Sequence, residues 1–111
     1  MTTSVRRFGQ VIGLRPDKVE DYKRLHAGRG VRHLLQQANI RNFSIFLRQF
    51  DDGRYYEFAY FEYHGADYDA DMAWLAAQPD NQAWLALCDP MQIPLGGETS
   101  WAQMEAIFLN D

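Results

Sequence analysis

The sequence predicts a single α+β domain in which helices cover one face of an antiparallel sheet. The chain has 111 residues, the length of one domain. Hydrophobic residues make up 47% of it and charged residues 23%, as in ordinary globular proteins. Strand and helix periodicities follow one another in the order βαββαβ. That order is typical of the ferredoxin-like sandwich, so we expect this fold over residues 1–111.

The first predicted strand extends from Val5 to Leu14. Pro16 ends it and suits the first turn of a following helix, where its missing N–H costs nothing. Val19, Tyr22 and His26 then lie three and four residues apart. This spacing places them on one face of the first predicted helix.

A second helical stripe follows after Gly28–Gly30. Two glycines this close disfavour a helix by roughly 1 kcal/mol each, so we expect a break or kink there. Asn39 is a reasonable end for the second stripe. The apolar members of this stripe are Val31, Leu34, Leu35 and Ala38.

The middle of the chain predicts a β-hairpin. The segment from Ile40 to Phe50 is the second strand and the segment from Arg54 to Tyr63 is the third. Between them, the residues Asp51–Gly53 form a strong turn signal.

The last third predicts two helices and a closing strand. Asp67 to Ala77 has helical spacing, Pro79 ends it, and a short helix follows from Asp80 to Leu87. Apolar residues mostly alternate from Trp101 to Leu109, which we interpret as the fourth strand.

Aromatic residues make up 14% of the chain, which is high, and the predicted sheet carries many of them. One sheet face is left without a covering helix in this fold, and such a face needs a partner. We therefore expect a homodimer in which two sheets pack face to face.

Charge and composition exclude several classes of function. The net charge is −4 and no block of Lys or Arg occurs, so nucleic acid is not an expected partner. No apolar run reaches the roughly 18 residues of a membrane-spanning helix. The segment from Met1 to Arg7 lacks the apolar core of a signal peptide, and Cys88 is the single cysteine. Together these features favour a cytoplasmic location.

Tyr22 and His26 form the clearest candidate site. Their spacing places them one helical turn apart on the same side. An imidazole can give or take a proton near neutral pH, and a Tyr beside it can orient a substrate hydroxyl. On residue types alone, a His that merely packs between helix and sheet is the alternative. Trp84 and Trp101 could add the flat aromatic walls of a sugar site, or pack as core or interface residues.

The remaining polar clusters do not predict a metal site. His33 and His64 lack metal-binding spacing. Asp67, Asp69 and Asp71 alternate but lack the glycine and glutamate of a calcium loop, so we expect them to charge a helix N-terminus. No Gly-rich phosphate loop, nucleophile elbow or redox cysteine pair occurs.

Several segments share the order and spacing of one known family: Gly13–Pro16 with Tyr22–Ala27, Asn39–Leu47, Phe61–Tyr63 with Asp69–Ala73, and Trp101–Phe108. Together they resemble the L-rhamnose mutarotase family, over nearly the whole chain from Arg6 to Asp111. Phe61–Tyr63 with Asp69–Ala73 looks like the branch often associated with L-fucose.

This resemblance implies a dimeric enzyme that interconverts the α and β anomers of a 6-deoxyhexose, L-rhamnose or L-fucose, by acid–base catalysis without a cofactor. It implies that His26 is the proton donor. The positions that it implies for sugar binding are Tyr22, Phe43, Trp84, Leu85 and Trp101.

The chain departs from the family pattern around the expected pocket. Gly30-Val31 stands where the family has Trp-Pro, and Phe43 stands where it has Tyr. Leu85 and Ser100 each replace one Trp of a pair. A non-catalytic sugar-binding or interaction module therefore remains an alternative, as does a cofactor-free monooxygenase on the same dimeric fold. Arg29 could also bind a carboxylate or phosphate of an acidic sugar.

Overall fold

The computed structural model describes residues 4–111, in which four helices and five strands form one antiparallel α+β unit. Residues 1–3, which begin the Met1–Arg7 segment, lie outside the described part. The strands are β1 (Arg6–Leu14), β2 (Ile40–Gln49), β3 (Tyr55–Tyr63), β4 (Gln92–Ile93) and β5 (Ala102–Met104). The helices are α1 (Val19–Ala27), α2 (Arg32–Gln37), α3 (Tyr68–Ala77) and α4 (Pro79–Cys88), with short 3₁₀ turns at Pro16–Lys18 and Asp89–Met91.

The sheet has the strand order β2-β3-β1-β4, and β5 also pairs with β1. All pairings are antiparallel, and β1 and β3 are in register over their full lengths, from Arg6 opposite Tyr63 to Leu14 opposite Tyr55. The predicted α+β ferredoxin-like fold is confirmed. The turn of the β2–β3 hairpin includes Gly53 at φ 87°, which explains the glycine there.

The predicted last strand from Trp101 to Leu109 is wrong in its extent. Only Ala102–Met104 is strand, and Gln92–Ile93 is a separate strand on the same edge of β1. Met104 already pairs with Gly9, near the start of β1. Because β1 begins at Arg6, it offers at most three more positions beyond Met104, so Phe108 and Leu109 lie past its end.

The break between the first two helices occurs where it was predicted. The helix α1 ends at Ala27 and α2 begins at Arg32. The Arg32 guanidinium bridges this break by donating to the backbone carbonyl oxygens of His26 and Gly28. Asn39 follows α2 with φ 66°, a conformation that asparagine tolerates better than most residues.

The core lies between the helices and the inner face of the sheet. Burying each of its larger side chains contributes about 1.5–3 kcal/mol. One buried group joins α1 and α4 to β1, and the other joins the end of α2 to β2 and β3. The first consists of Leu14, Val19, Tyr22 and Cys88, and the second of Ala38, Ile40, Phe61 and Tyr63.

A β-bulge interrupts the pairing of β2 with β3. Arg41 pairs with Glu62 and Ser44 with Tyr60, so Asn42 and Phe43 together lie opposite Phe61. Asn42 has φ 55°. The bulge places the Phe43 ring parallel to that of Phe61, with centroids 5.3 Å apart.

The outer face of the sheet carries no helix and is rich in aromatic and aliphatic groups. Side chains alternate along a strand, so the residues between the inward ones of β2 and β3 point outward. They include Phe46, which is 67% exposed, together with Tyr56, Phe58 and Tyr60. Over residues 4–111, no helix has the length and apolarity required to cross a bilayer.

Candidate functional site

A cavity of about 730 Å³ opens between the helices and the inner face of the sheet. It is bounded by α1, the α1–α2 break, the first half of β2, α4 and the segment around β4. All six sequence-predicted site residues lie along its wall, and the volume suits a small molecule. These six are Tyr22, His26, Phe43, Trp84, Leu85 and Trp101.

The His26 ring is held in one orientation by its own helix. Its Nδ1 lies 2.8 Å from the backbone carbonyl oxygen of Tyr22. A carbonyl oxygen only accepts, so Nδ1 carries the proton and donates it. Nε2 makes no hydrogen bond to any residue of the described range 4–111, so it is the nitrogen left for a ligand. The ring also stacks on Tyr22, with centroids 4.2 Å apart, and meets the Trp84 ring at 5.1 Å.

The Tyr22 side chain spans from the cavity to the core. Its hydroxyl accepts a hydrogen bond from Nε2 of Gln92 at 3.1 Å. Burial raises the pKa of Tyr22, and the negative charge of nearby Glu57 raises it further. The hydroxyl therefore keeps its proton near neutral pH and can donate it.

Glu57 was not among the predicted site residues. It lies on the inner face of β3, only 1% exposed, and directly behind the cavity wall. Neither carboxyl oxygen has a hydrogen bond of standard geometry to any residue in the described part of the chain. Burial raises the pKa of Glu57 to about 7, although the nearby Tyr22 hydroxyl acts in the opposite direction.

The aromatic wall is formed by Trp84, with Phe43 across the cavity. Gly30 packs against the Trp84 ring, and a Cβ added there would lie 3.4 Å from that ring. Gly30 also has φ 58°, which disfavours residues with a side chain. The Gly30-Val31 pair therefore brings the backbone, and not a second indole, against Trp84.

Leu85 and Trp101 lie at the rim. Leu85 is 43% exposed, and Trp101 immediately precedes β5 on the side of the sheet that faces the helices. Both contribute apolar surface to the cavity.

Three arginines also line the cavity, and the sequence singled out only Arg29. Arg32 and Arg41 donate only to backbone carbonyl oxygens, and Arg29 has no hydrogen bond or ion pair with any residue between 4 and 111. The single acidic side chain among the lining residues is that of Asp89. The cavity wall therefore carries a net positive charge, although the net charge of the whole chain is −4.

Asn81 is another polar group that the sequence did not reveal. It is 6% exposed, lines the cavity, and makes no side-chain hydrogen bond within residues 4–111. Its amide can thus donate to or accept from a hydroxyl in the cavity. No periodicity distinguishes an amide on a short helix as a ligand, so only the geometry reveals it.

The described residues, 4–111, contain no group of three His, Cys, Asp or Glu side chains placed to hold a metal ion. Cys88 is buried beside the cavity, and burial raises the pKa of its thiol to about 11. A thiol of that kind stays protonated and is a poor nucleophile. The site can therefore move protons and bind hydroxyl groups, and the imidazole of His26 is the group in its wall that is suited to both giving and taking a proton.

Comparison with known proteins supplies a family. A family model described as L-rhamnose mutarotase matches residues 7–109. Among solved structures, the crystal structure of an L-rhamnose mutarotase from Formosa agariphila has a similar fold, with a TM-score of 0.69 at 17% sequence identity. The match covers 96% of this chain and 99% of that one. No curated protein sequence matches significantly.

Proposed function

Because the chain belongs to the L-rhamnose mutarotase family, whose members are carbohydrate isomerases, we propose that it interconverts the α and β anomers of a 6-deoxyhexose, L-rhamnose or L-fucose. The observation that carries this proposal is the orientation of His26. Its Nδ1 proton is bound to the backbone, and Nε2 remains available at the wall of a cavity of about 730 Å³.

Mutarotation needs one proton removed from the anomeric hydroxyl and one delivered to the ring oxygen. The bond between the anomeric carbon and the ring oxygen then breaks, the aldehyde rotates, and the ring closes on the other face. A protonated His26 donates from Nε2 to the ring oxygen and recovers that proton on closure. No redox step occurs, and side chains can carry both proton transfers, so the proposed reaction uses no cofactor.

The cavity offers separate contacts for the two kinds of sugar surface. Trp84 and Phe43 supply flat apolar faces for the C–H groups, and Leu85 and Trp101 extend this apolar surface at the rim. The amides of Asn81 and Gln92 supply hydrogen bonds for hydroxyl groups. A 6-deoxyhexose carries a methyl group where other hexoses carry a hydroxymethyl group, and that methyl group suits the apolar part of this pocket.

The functional unit that we propose is a homodimer of single-domain chains, each spanning residues 1–111, in the cytoplasm. The uncovered outer sheet face supports the dimer, since Phe46 and its aromatic neighbours there would otherwise face water. The lone, buried Cys88 supports a reducing compartment.

A second candidate substrate class is a sugar that carries a carboxylate or phosphate. Arg29, Arg32 and Arg41 favour it, because no carboxylate of the described chain pairs with any of these three cavity arginines. Arg29 is the one whose guanidinium is fully available. Under this hypothesis, Arg29→Ala weakens turnover of a hexuronate and leaves turnover of a neutral sugar unchanged.

The test is saturation-transfer NMR on the anomeric protons of L-rhamnose, L-fucose and a hexuronate in the presence of the protein. We expect the wild type to accelerate α/β exchange of one 6-deoxyhexose, and His26→Ala to abolish the acceleration. His64→Ala is the matched control, since His64 is exposed, directly follows β3 and pairs with Glu62.

The outcomes separate the alternatives. If the protein accelerates exchange of the hexuronate alone, its substrates are acidic sugars and not 6-deoxyhexoses. Binding of a sugar to a wild type that does not accelerate its exchange would favour the non-catalytic sugar-binding module. Equal loss in His26→Ala and His64→Ala would mean that His26 has no special role.

A further inference from the structure

Glu57 is placed where a structural role does not explain it. Its neighbours across the sheet are Ile12 on β1 and Leu47 on β2, both aliphatic. It forms no ion pair with any residue from 4 to 111, and both of its oxygens lack a hydrogen-bond partner there. A buried carboxyl group in such surroundings costs stability and is expected only where it has another use.

The groups that face Glu57 connect it to the cavity. Tyr22 of α1 and Cys88 of α4 are the titratable side chains close enough to affect it or be affected by it. The Tyr22 oxygen accepts from Gln92, an amide without charge. Since that oxygen is already an acceptor for Gln92, the phenolic proton is free to point at the Glu57 carboxylate, and one lone pair remains for a ligand.

We propose that Tyr22 and Glu57 form a proton relay behind the sugar site, in which Tyr22 takes the proton of the anomeric hydroxyl while passing its own proton to Glu57. This inference rests on the proposed mutarotase function and adds the base that acts opposite His26. Glu57 does not touch the sugar. It acts through Tyr22, which does.

The ring-opening step balances as follows. The anomeric O–H bond breaks and its proton joins the Tyr22 oxygen, while the original phenolic proton moves to a Glu57 oxygen. The freed electron pair forms the carbonyl bond, and the bond to the ring oxygen breaks. The ring oxygen takes the Nε2 proton of His26, so the protein keeps its total number of protons.

Ring closure runs the same transfers in reverse on the other face of the aldehyde. His26 removes the proton from the open-chain hydroxyl, and Glu57 returns a proton through Tyr22 to the new anomeric oxygen. Each cycle thus restores an ionised Glu57 and a protonated His26 without exchange with bulk water. The raised pKa of Glu57, about 7, suits a group that must both accept and release a proton near neutral pH.

The test compares Glu57→Gln, Tyr22→Phe and the double variant in the NMR exchange assay, with His26→Ala as the reference and Glu98→Gln as the matched control. Glutamine keeps the size of the side chain and can accept a hydrogen bond from Tyr22, but it cannot take up the proton. We expect kcat to fall about 100-fold in Glu57→Gln with KM changed less than about threefold. The acidic limb of the kcat profile near pH 7 should vanish with it.

The double variant tests whether the two residues act as one unit. A relay predicts that Tyr22→Phe with Glu57→Gln is no slower than the slower single variant, because either change already breaks the path. Independent roles would multiply the two losses and would overturn the relay.

Infrared titration gives a readout that needs no turnover. The carboxyl band of Glu57 is identified as the one that disappears in Glu57→Gln. We expect this band to shift in Tyr22→Phe, and an unshifted band would also overturn the relay.

The relay and the proposed function fail in different ways. A Glu57→Gln variant with wild-type kcat and pH profile, beside an inactive His26→Ala, overturns the relay and leaves the mutarotase function standing. A folded wild type that accelerates exchange of no sugar overturns the proposed function, and the catalytic use of the relay with it.

Discussion

At the scale of single residues, Glu57 makes the stability of the fold depend on pH. Its pKa is about 7 in the folded chain against an ordinary value of 4.5, so the folded state holds the proton more tightly than the unfolded state. The contribution of Glu57 to stability is therefore fully retained below pH 4.5 and is lost as the pH rises through 7. Above pH 7, the ionised Glu57 makes the folded state less stable by about 3 kcal/mol than it is when Glu57 is protonated.

Replacing Glu57 by leucine should remove this dependence. We expect Glu57→Leu to unfold at higher urea concentration than the wild type at pH 7 and above, and the advantage to shrink towards pH 4.5. Urea denaturation across this pH range measures it. If the two proteins differ by the same free energy at every pH, the carboxyl group does not titrate as the structure implies.

The sequence identified His26, the proposed proton donor, but not Glu57, the proposed final proton acceptor. His26 stood out because its spacing from Tyr22 and its place in a family motif both singled it out. Glu57 did not, because both faces of β3 carry aromatic residues. The alternation of Tyr56, Phe58 and Tyr60 made the outer face look at least as apolar as the inner one. Only the helices show which face is covered, and hence that Glu57 is buried.

At the scale of secondary-structure elements, the bulge in β2 sets the position of Phe43 in the cavity wall. Asn42 makes this possible by accepting φ 55° while its amide donates to Glu62 at 3.1 Å. A β-branched residue resists that conformation, since its Cβ crowds the neighbouring carbonyl oxygen.

We expect Asn42→Val to destabilise the protein by about 1–2 kcal/mol and to raise the KM for sugar, because Phe43 would lose its support. Asn42→Gly is the matched control: it keeps the backbone conformation while losing the side-chain hydrogen bond. Thermal unfolding and the NMR exchange assay measure both effects. Equal destabilisation by valine and glycine would assign the effect to the lost hydrogen bond and not to the bulge.

The hairpin and the helix break could be predicted because their signals are local. A turn sequence at Asp51–Gly53 and two glycines around Arg29 act on their immediate neighbours. The extent of the last strand could not, because it depends on how much of the β1 edge is still free when the chain returns to it. Gln92–Ile93 occupies the Leu14 end of that edge, and the Arg6 end has room for at most three residues after Met104. Both limits are properties of the tertiary structure.

At the scale of the whole molecule, the sheet has one face covered by helices and one that is not. The covered face carries the cavity, and the uncovered one carries the exposed aromatic groups around Phe46. In the homodimer that we propose, two such faces pack together and each cavity stays on the outside of the pair.

We expect Phe46→Glu to convert a dimer into a monomer, because it would bury a charge in the centre of an apolar interface. Leu87→Glu is the matched control, as Leu87 is also an exposed apolar residue, 53% accessible, but lies on α4 away from the sheet. Light scattering after size-exclusion chromatography measures the mass. A wild type that runs as a monomer at all concentrations would contradict the proposed interface.

The edge-on contact between His26 and Trp84 has an optical consequence. A charged imidazolium 5.1 Å from an indole ring quenches its emission, whereas a neutral imidazole does so far less. With Trp74 and Trp101 replaced by phenylalanine, the remaining fluorescence would come from Trp84 alone. Trp84 is thus an intrinsic fluorescent probe of His26. Its emission intensity reports whether His26 is charged, both in the free protein and after a sugar binds.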